Sequence, residues 1–168
     1  MERALPPAPS RVADLGCGTG SMAILAAELG HRVDGVDYSE QMLVRARAKS
    51  VPGVEFSLGD AGHPRLAAGT YDAVFCRHVL WALPDPAAAL TRWAALLRPH
   101  GRLVLVEGRW STGGGLESAQ IVALLGDLGY ATKVVPLDDQ RYWGRPIQDE
   151  RYLIMAEAVA VTNQSSSD

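Results

Sequence analysis

Apolar positions along this 168-residue chain fall into short blocks that alternate between two periods. The first block, Val12, Ala13 and Leu15, is interrupted by Asp14 and ends at three glycines, Gly16, Gly18 and Gly20. A short apolar run of this kind reads as a buried parallel strand, here residues 11–15. Met22, Ile24, Leu25 and Leu29 follow, which predicts a helix over 21–29 that stops near Gly30. Residues 32–36 return to a strand pattern. Ser39 is a good N-cap with Glu40 and Gln41 in the first turn, so a second helix is expected from there to about Lys49.

The alternation continues. Pro52-Gly53 turns into a strand over 54–58, and 59–69 reads as a loop with room for one helical turn. Residues 71–76 form a fourth strand. Asp85-Pro86 caps a helix, with proline at its first position, that runs to about Arg98. Pro99-His100-Gly101 leads into a strand over 102–106, and Gly113–Gly115 precedes a helix over about 116–128. Residues 131–136 and 151–157 are a sixth and a seventh strand.

Five strand–helix units in succession imply a parallel sheet with helices on both faces. The connection 137–150 holds Asp138, Asp139, Gly144 and Pro146 and has no room for a crossover helix, so the last two strands should pair antiparallel. That ending separates the pattern from an all-parallel dinucleotide fold.

Composition narrows the class. With 48% apolar residues the chain reads as one globular domain, and a net charge of −3 gives no reason to expect nucleic acid or an anionic membrane as partner. No apolar run approaches the ~20 residues of a membrane span, and the start lacks the order of a signal peptide. Two cysteines, Cys17 and Cys76, give neither a disulfide framework nor metal-ligand spacing, so no metal is expected. A cytoplasmic domain over residues 11–158 is the expectation. Residues 1–10 read as a disordered or short lead-in and 159–168 as a disordered tail.

In an open α/β sheet, ligands sit beyond the carboxyl ends of the strands. This places Asp14–Gly20, Asp37–Ser39, Asp60–His63, Arg77–Trp81, Glu107–Trp110 and the 137–150 connection at the functional end. His31 and His100 fall at the opposite end. The glycine loop runs from a strand into a helix N-terminus, where backbone can approach a ligand closely. Asp37 stands about 20 residues on, where a carboxylate accepts from ribose hydroxyls; a plain helix-capping Asp is the alternative. Asp60, at the end of the neighbouring strand, can accept from an exocyclic amine.

The blocks VADLGCGTG, GVDYS, GDA, YDAVFCRHVLWALPDP and LRPHGRLVLVEG together resemble the class I S-adenosylmethionine-dependent methyltransferases, closest to the small-molecule group. The resemblance covers about residues 11–158. It implies a Rossmann-like three-layer sandwich with a seven-stranded, mostly parallel sheet of order 3-2-1-4-5-7-6, the last strand antiparallel. It implies S-adenosylmethionine as cofactor, with Asp14 and the backbone of Gly16, Cys17, Gly18 and Gly20 around the methionine moiety. Asp37 and Tyr38 would lie at the ribose, Asp60 and Ala61 at the adenine, and the Arg77 carbonyl at the amino group. Gly-Cys-Gly-Thr-Gly is not the dinucleotide Gly-x-Gly-x-x-Gly, and a cofactor without a pyrophosphate does not need its phosphate cradle.

Two positions depart from the family pattern. His100 stands where glycine is frequent. Only ten residues precede the first strand, where many relatives carry a helical segment over the cofactor. A short or missing N-terminal lid is therefore expected, with a second copy or another subunit as a possible source of cover. The alternative to an enzyme is a cofactor-binding domain that needs a partner or an upstream segment.

Methyl transfer is an in-line displacement in which the protein supplies orientation and a dry pocket. A base helps if the acceptor is a hydroxyl. His78 is the first candidate and His63 the second, and a packing role for His78 is the competing reading. Trp81, Arg109, Trp110 and Trp143, with Arg141, Tyr142 and Arg145, would line an aromatic acceptor pocket with a cationic rim. For Trp81 a core or cofactor-packing role is the simpler alternative. Trp93 reads as core, and both cysteines as small apolar fillers.

Overall fold

The computed structural model describes residues 3–140, 144 and 146–159. Seven strands form one sheet: β1 (Arg11–Leu15), β2 (Arg32–Asp37), β3 (Val54–Leu58), β4 (Tyr71–Arg77), β5 (Leu97–Arg109), β6 (Tyr130–Pro136) and β7 (Glu150–Ala158). Their order is β3-β2-β1-β4-β5-β7-β6. The pairs β1–β2, β1–β4, β2–β3 and β4–β5 are parallel. Strand β7 runs antiparallel to both β5 and β6. The helices are α1 (Ser21–Glu28), α2 (Glu40–Arg47), α3 (Pro86–Leu96) and α4 (Ser118–Asp127).

The sequence sets the helix starts through their caps. The Ser39 hydroxyl accepts from the Met42 amide at 3.4 Å, and the Asp85 carboxylate accepts from the Ala88 amide at 2.9 Å with Pro86 at the first helical position. Helix α4 begins at Ser118 rather than 116 because Glu117 and Gln120 form a capping box. The 59–69 loop contains no helical turn, whereas Leu80–Ala82 forms a short 3-10 turn after β4. Strand β5 starts at Leu97, five residues ahead of the expected 102, because Leu97 pairs with Tyr71 before a register shift.

Two apolar layers flank the sheet. One holds Leu15, Val74, Leu80, Leu90, Trp93, Leu103, Leu105, Ile121 and Ile154 under α3 and α4. The other holds Val12, Ala23, Ala26, Val33, Phe75 and Val104 beneath α1. Trp93 is wholly buried, as its helical position implied, and its indole donates to the Ala61 carbonyl at 2.7 Å. Each such large side chain contributes roughly 1.5–3 kcal/mol on burial. The lead-in forms no helix or strand from residue 3 to 10, yet Ala4 and Leu5 are buried in the second layer. Among the described residues no helix is long and apolar enough to cross a membrane.

Candidate cofactor and acceptor site

The glycine loop lies where β1 feeds α1. The Gly16 and Cys17 amides both donate to the Val36 carbonyl, at 2.8 and 3.0 Å, which ties the loop to β2. Gly16, Gly18 and Gly20 all have positive φ, 74°, 54° and 76°. A Cβ on Gly16 would collide with the Val79 side chain, and one on Gly20 would come within 2.5 Å of the Phe56 ring. A Cβ on Gly18 would meet nothing within 4 Å, so at Gly18 the backbone borders open space.

Below the loop, Asp14 is buried and its Oδ2 has no hydrogen-bond partner. Burial pushes its carboxyl up to about 7, against the pull of Arg77 and the Ala23 amide. A buried carboxylate without a counter-ion is a costly arrangement, and a cationic ligand group relieves it. Cys17 is also buried, and burial raises its thiol far above the ordinary range, which disfavours the thiolate.

At the end of β2, Asp37 is buried and both its oxygens take backbone amides: Oδ2 from Gly18 at 2.7 Å and Oδ1 from Ser39 at 2.9 Å. Its neighbour Tyr38 is 85% exposed. Past β3, Asp60 Oδ1 accepts from the Gly62 amide at 2.7 Å, and Oδ2 lies 3.1 Å from His63 Nδ1. The Gly62 amide, and then His63, hold the Asp60 carboxyl below its ordinary value. Both side chains are largely exposed. His63 is therefore a partner of Asp60 in the loop after β3. Ala61 is buried, held by its carbonyl to Trp93.

The ends of β4 and β5 carry the second cluster. His78 follows Arg77 in a left-handed conformation, φ 58°, and its amide extends the ladder to the Val106 carbonyl at 2.9 Å. Its Nε2 is buried without a partner. Burial, with Arg77 and Arg151, lowers its pKa, so the imidazole is neutral near pH 7. The His78 ring meets Trp110 edge-on at 5.3 Å between centroids, and Trp81 leans on Trp110 at the same separation. Trp81 is 41% exposed, with its indole N–H on the His78 carbonyl at 3.2 Å. This excludes the core role for Trp81.

Arg109 Nη1 donates to the carbonyls of Gly113 and Gly114, which ties the end of β5 to the loop that follows it. Trp143, Tyr142, Arg141 and Arg145 lie outside the described residues.

Glu107, at the end of β5, carries no motif that marks it in the sequence. Glu107 is fully buried, and its Oε1 accepts from Val79 at 2.9 Å and Leu80 at 2.8 Å. Its Oε2 has no partner. Burial raises this carboxyl to about 7. The available signal was a lone carboxylate closing an apolar strand. A surface groove of about 560 Å³ between α2 and β3, lined by Ala46, Arg47 and Phe56 among others, contains none of these residues.

Residues 13–105 match a family described as a methyltransferase domain. A ubiquinone biosynthesis O-methyltransferase of Xanthomonas axonopodis pv. citri (strain 306) is 34% identical over 142 residues, covering 82% of this chain and 57% of that protein. The chain thus spans a little over half the length of that curated relative. Among solved structures, an S-adenosylmethionine-dependent methyltransferase from Mesorhizobium loti superposes with TM-score 0.78 over 93% of this chain and 94% of its own; at 22% identity this is a likeness of fold. Magnesium protoporphyrin IX methyltransferase from Synechocystis PCC 6803, solved with bound SAM, shares 27% identity with TM-score 0.72 over 90% of this chain and 71% of that one.

Proposed function

Because the chain belongs to the class I S-adenosylmethionine-dependent methyltransferases, we propose that it transfers a methyl group to an oxygen or nitrogen atom of a small-molecule acceptor. Oxygen is the first choice, on the strength of the Xanthomonas relative's name. S-adenosylmethionine is the cofactor of the family, and it supplies the methyl group on a sulfonium centre that needs no further activation.

The residues present fit that group, and the unpartnered, buried oxygen of Asp14 carries the argument. An ammonium beside Oδ2 would supply the hydrogen bond that oxygen lacks and a charge nearer than that of Arg77. The Gly18 backbone would approach the ligand across its open side, with Gly16, Cys17 and Gly20 shaping the turn. Asp37 holds that turn through Gly18 and retains lone pairs for ribose hydroxyls beside Tyr38. Asp60 and Ala61 would flank the adenine, and the Arg77 carbonyl would take the amino group.

On the acceptor side, the His78 imidazole is neutral and its buried Nε2 is free of partners, so it would receive the proton of an acceptor hydroxyl whose binding uncovers that nitrogen. Trp81 and Trp110 offer an aromatic wall for a planar acceptor. Trp143 belongs to the same reading. A partner or a second copy of the chain would be able to cover this side, as would an upstream segment, and the site of action would be the cytoplasm.

Calorimetric titration of the chain with S-adenosylmethionine, with NAD as control, tests the cofactor; binding of NAD alone would overturn the reading. Turnover of methyl-labelled cofactor with a panel of phenols and amines tests the reaction. In His78→Ala, turnover should fall more than cofactor affinity. Equal losses would make His78 a packing residue.

A further inference from the structure

The turn after β4 holds both His78 and Trp81, and nothing in its own sequence explains why it adopts its shape. Histidine at φ 58° is disfavoured on its own, since a Cβ crowds the backbone in the left-handed region. The contacts that hold the turn come from β5. Glu107 Oε1 accepts two successive amides, Val79 and Leu80, at the N-terminal end of the 3-10 turn, where amides lack partners within the turn. The Cys76 thiol lies 3.9 Å from the same oxygen. Trp81 then closes back on the His78 carbonyl.

We propose that Glu107 is the positioning residue of the acceptor side: by gathering the Val79 and Leu80 amides on one buried oxygen, it fixes the His78 backbone and the Trp81 indole in place. The role given to His78 and Trp81 as acceptor-side groups rests on the function proposed above; the anchoring itself does not. A carboxylate suits the task because one of its oxygens can take two donors at once, and charge strengthens both bonds in a dry setting. The raised carboxyl of Glu107 agrees with a group buried for its contacts at the expense of its hydration.

The test uses the full chain, labelled with nitrogen-15, and follows amide and indole exchange by NMR. In Glu107→Ala, the Val79 and Leu80 amides and the Trp81 indole N–H should exchange at least about tenfold faster, with Gly16 and Gly18 unchanged. Glu107→Gln keeps a carbonyl acceptor in the same place and should restore most of the protection at all three sites. If Glu107→Ala does not fold, Glu107→Asp, which withdraws the oxygen by one methylene, should loosen the same three sites while β1 and β2 keep their protection. Unaltered exchange at Val79, Leu80 and Trp81 in a folded Ala or Asp variant overturns the proposal. So does a folded Gln variant as loose as Ala. Calorimetry with S-adenosylmethionine on the parent separates the two ideas: absent binding with intact anchoring removes the proposed function and leaves the anchor standing.

Discussion

The Gly18 amide donates to Asp37 Oδ2 at 2.7 Å, so the carboxylate at the end of β2 is a structural part of the glycine loop. Its other oxygen holds the Ser39 amide. Asp37→Ala should therefore lose on two counts. It leaves two backbone donors unpaired, at roughly 1–3 kcal/mol of stability, and it should weaken S-adenosylmethionine by a similar ~1–3 kcal/mol as the loop loosens and ribose hydroxyls lose an acceptor. Urea unfolding and calorimetry on the same sample check both. A stable variant with parental affinity sinks the assignment of Asp37 to the cofactor.

The glycines separate fold from binding. Gly16→Ala drives a Cβ into Val79 and should cost the fold several kcal/mol or prevent folding. Gly18→Ala meets no atom within 4 Å and carries only the left-handed backbone cost, about 1–2 kcal/mol. Its methyl group would occupy the open side along which a ligand approaches. We expect a Gly18→Ala protein that remains folded and binds S-adenosylmethionine at least about tenfold more weakly. Parental affinity in that variant would move the ligand away from Gly18.

What the sequence revealed and what it concealed divide along range. Where local signals are strong, strand and helix starts were legible because they depend on neighbours: the apolar run before Gly16 and the Ser39 and Asp85 caps; the turn-rich 137–150 segment likewise forces an antiparallel ending, whereas the early start of β5 depends on its pairing with Tyr71. That the candidate cofactor residues would fall at neighbouring strand ends was legible through order and spacing, since consecutive strand ends converge on one edge of a parallel sheet. Glu107 was not, because its meaning lies in the Val79 and Leu80 amides on another strand's turn. Arg109 reads from sequence as part of a cationic rim, and its bonds to the Gly113 and Gly114 carbonyls become visible only in the fold. The exposed Asp60–His63 contact likewise needs the fold of the loop after β3.

Asp14 makes cofactor binding dependent on protons. With its carboxyl near 7, a sizeable fraction is protonated at neutral pH before a ligand arrives. An ammonium beside Oδ2 favours the ionised form and should drive the proton off. S-adenosylmethionine binding should then release up to one proton and strengthen as pH rises from about 6 to about 8. Titrations in two buffers of different ionisation enthalpy measure the release directly. The proton release should vanish in Asp14→Asn. Release of the same size in that variant would assign the proton to another group.

Stability should carry the imprint of the same burial, with a sign opposite to that of most carboxylates. Asp14 and Glu107 both rise to about 7, from ordinary values of 3.8 and 4.5. The native state therefore holds protons that the unfolded chain has released, and stability falls as pH climbs from about 4.5 through 7. Below the unfolded values the cost is absent, and above about 7 it is fully present. The shifts set a ceiling on the order of 4 kcal/mol for Asp14 and on the order of 3 kcal/mol for Glu107. Asp60 and Asp149, whose carboxyls are lowered, act in the opposite direction at acid pH, so the bare profile mixes both effects. A difference isolates the buried pair: Glu107→Gln and Asp14→Asn should each gain stability relative to the parent as pH goes from 5 to 8, most steeply between about 5 and 6 and levelling off above about 7. Urea unfolding at unit steps of pH reads that difference. A gap that stays flat across the range would mean that both carboxyls ionise in the folded protein much as they do in water.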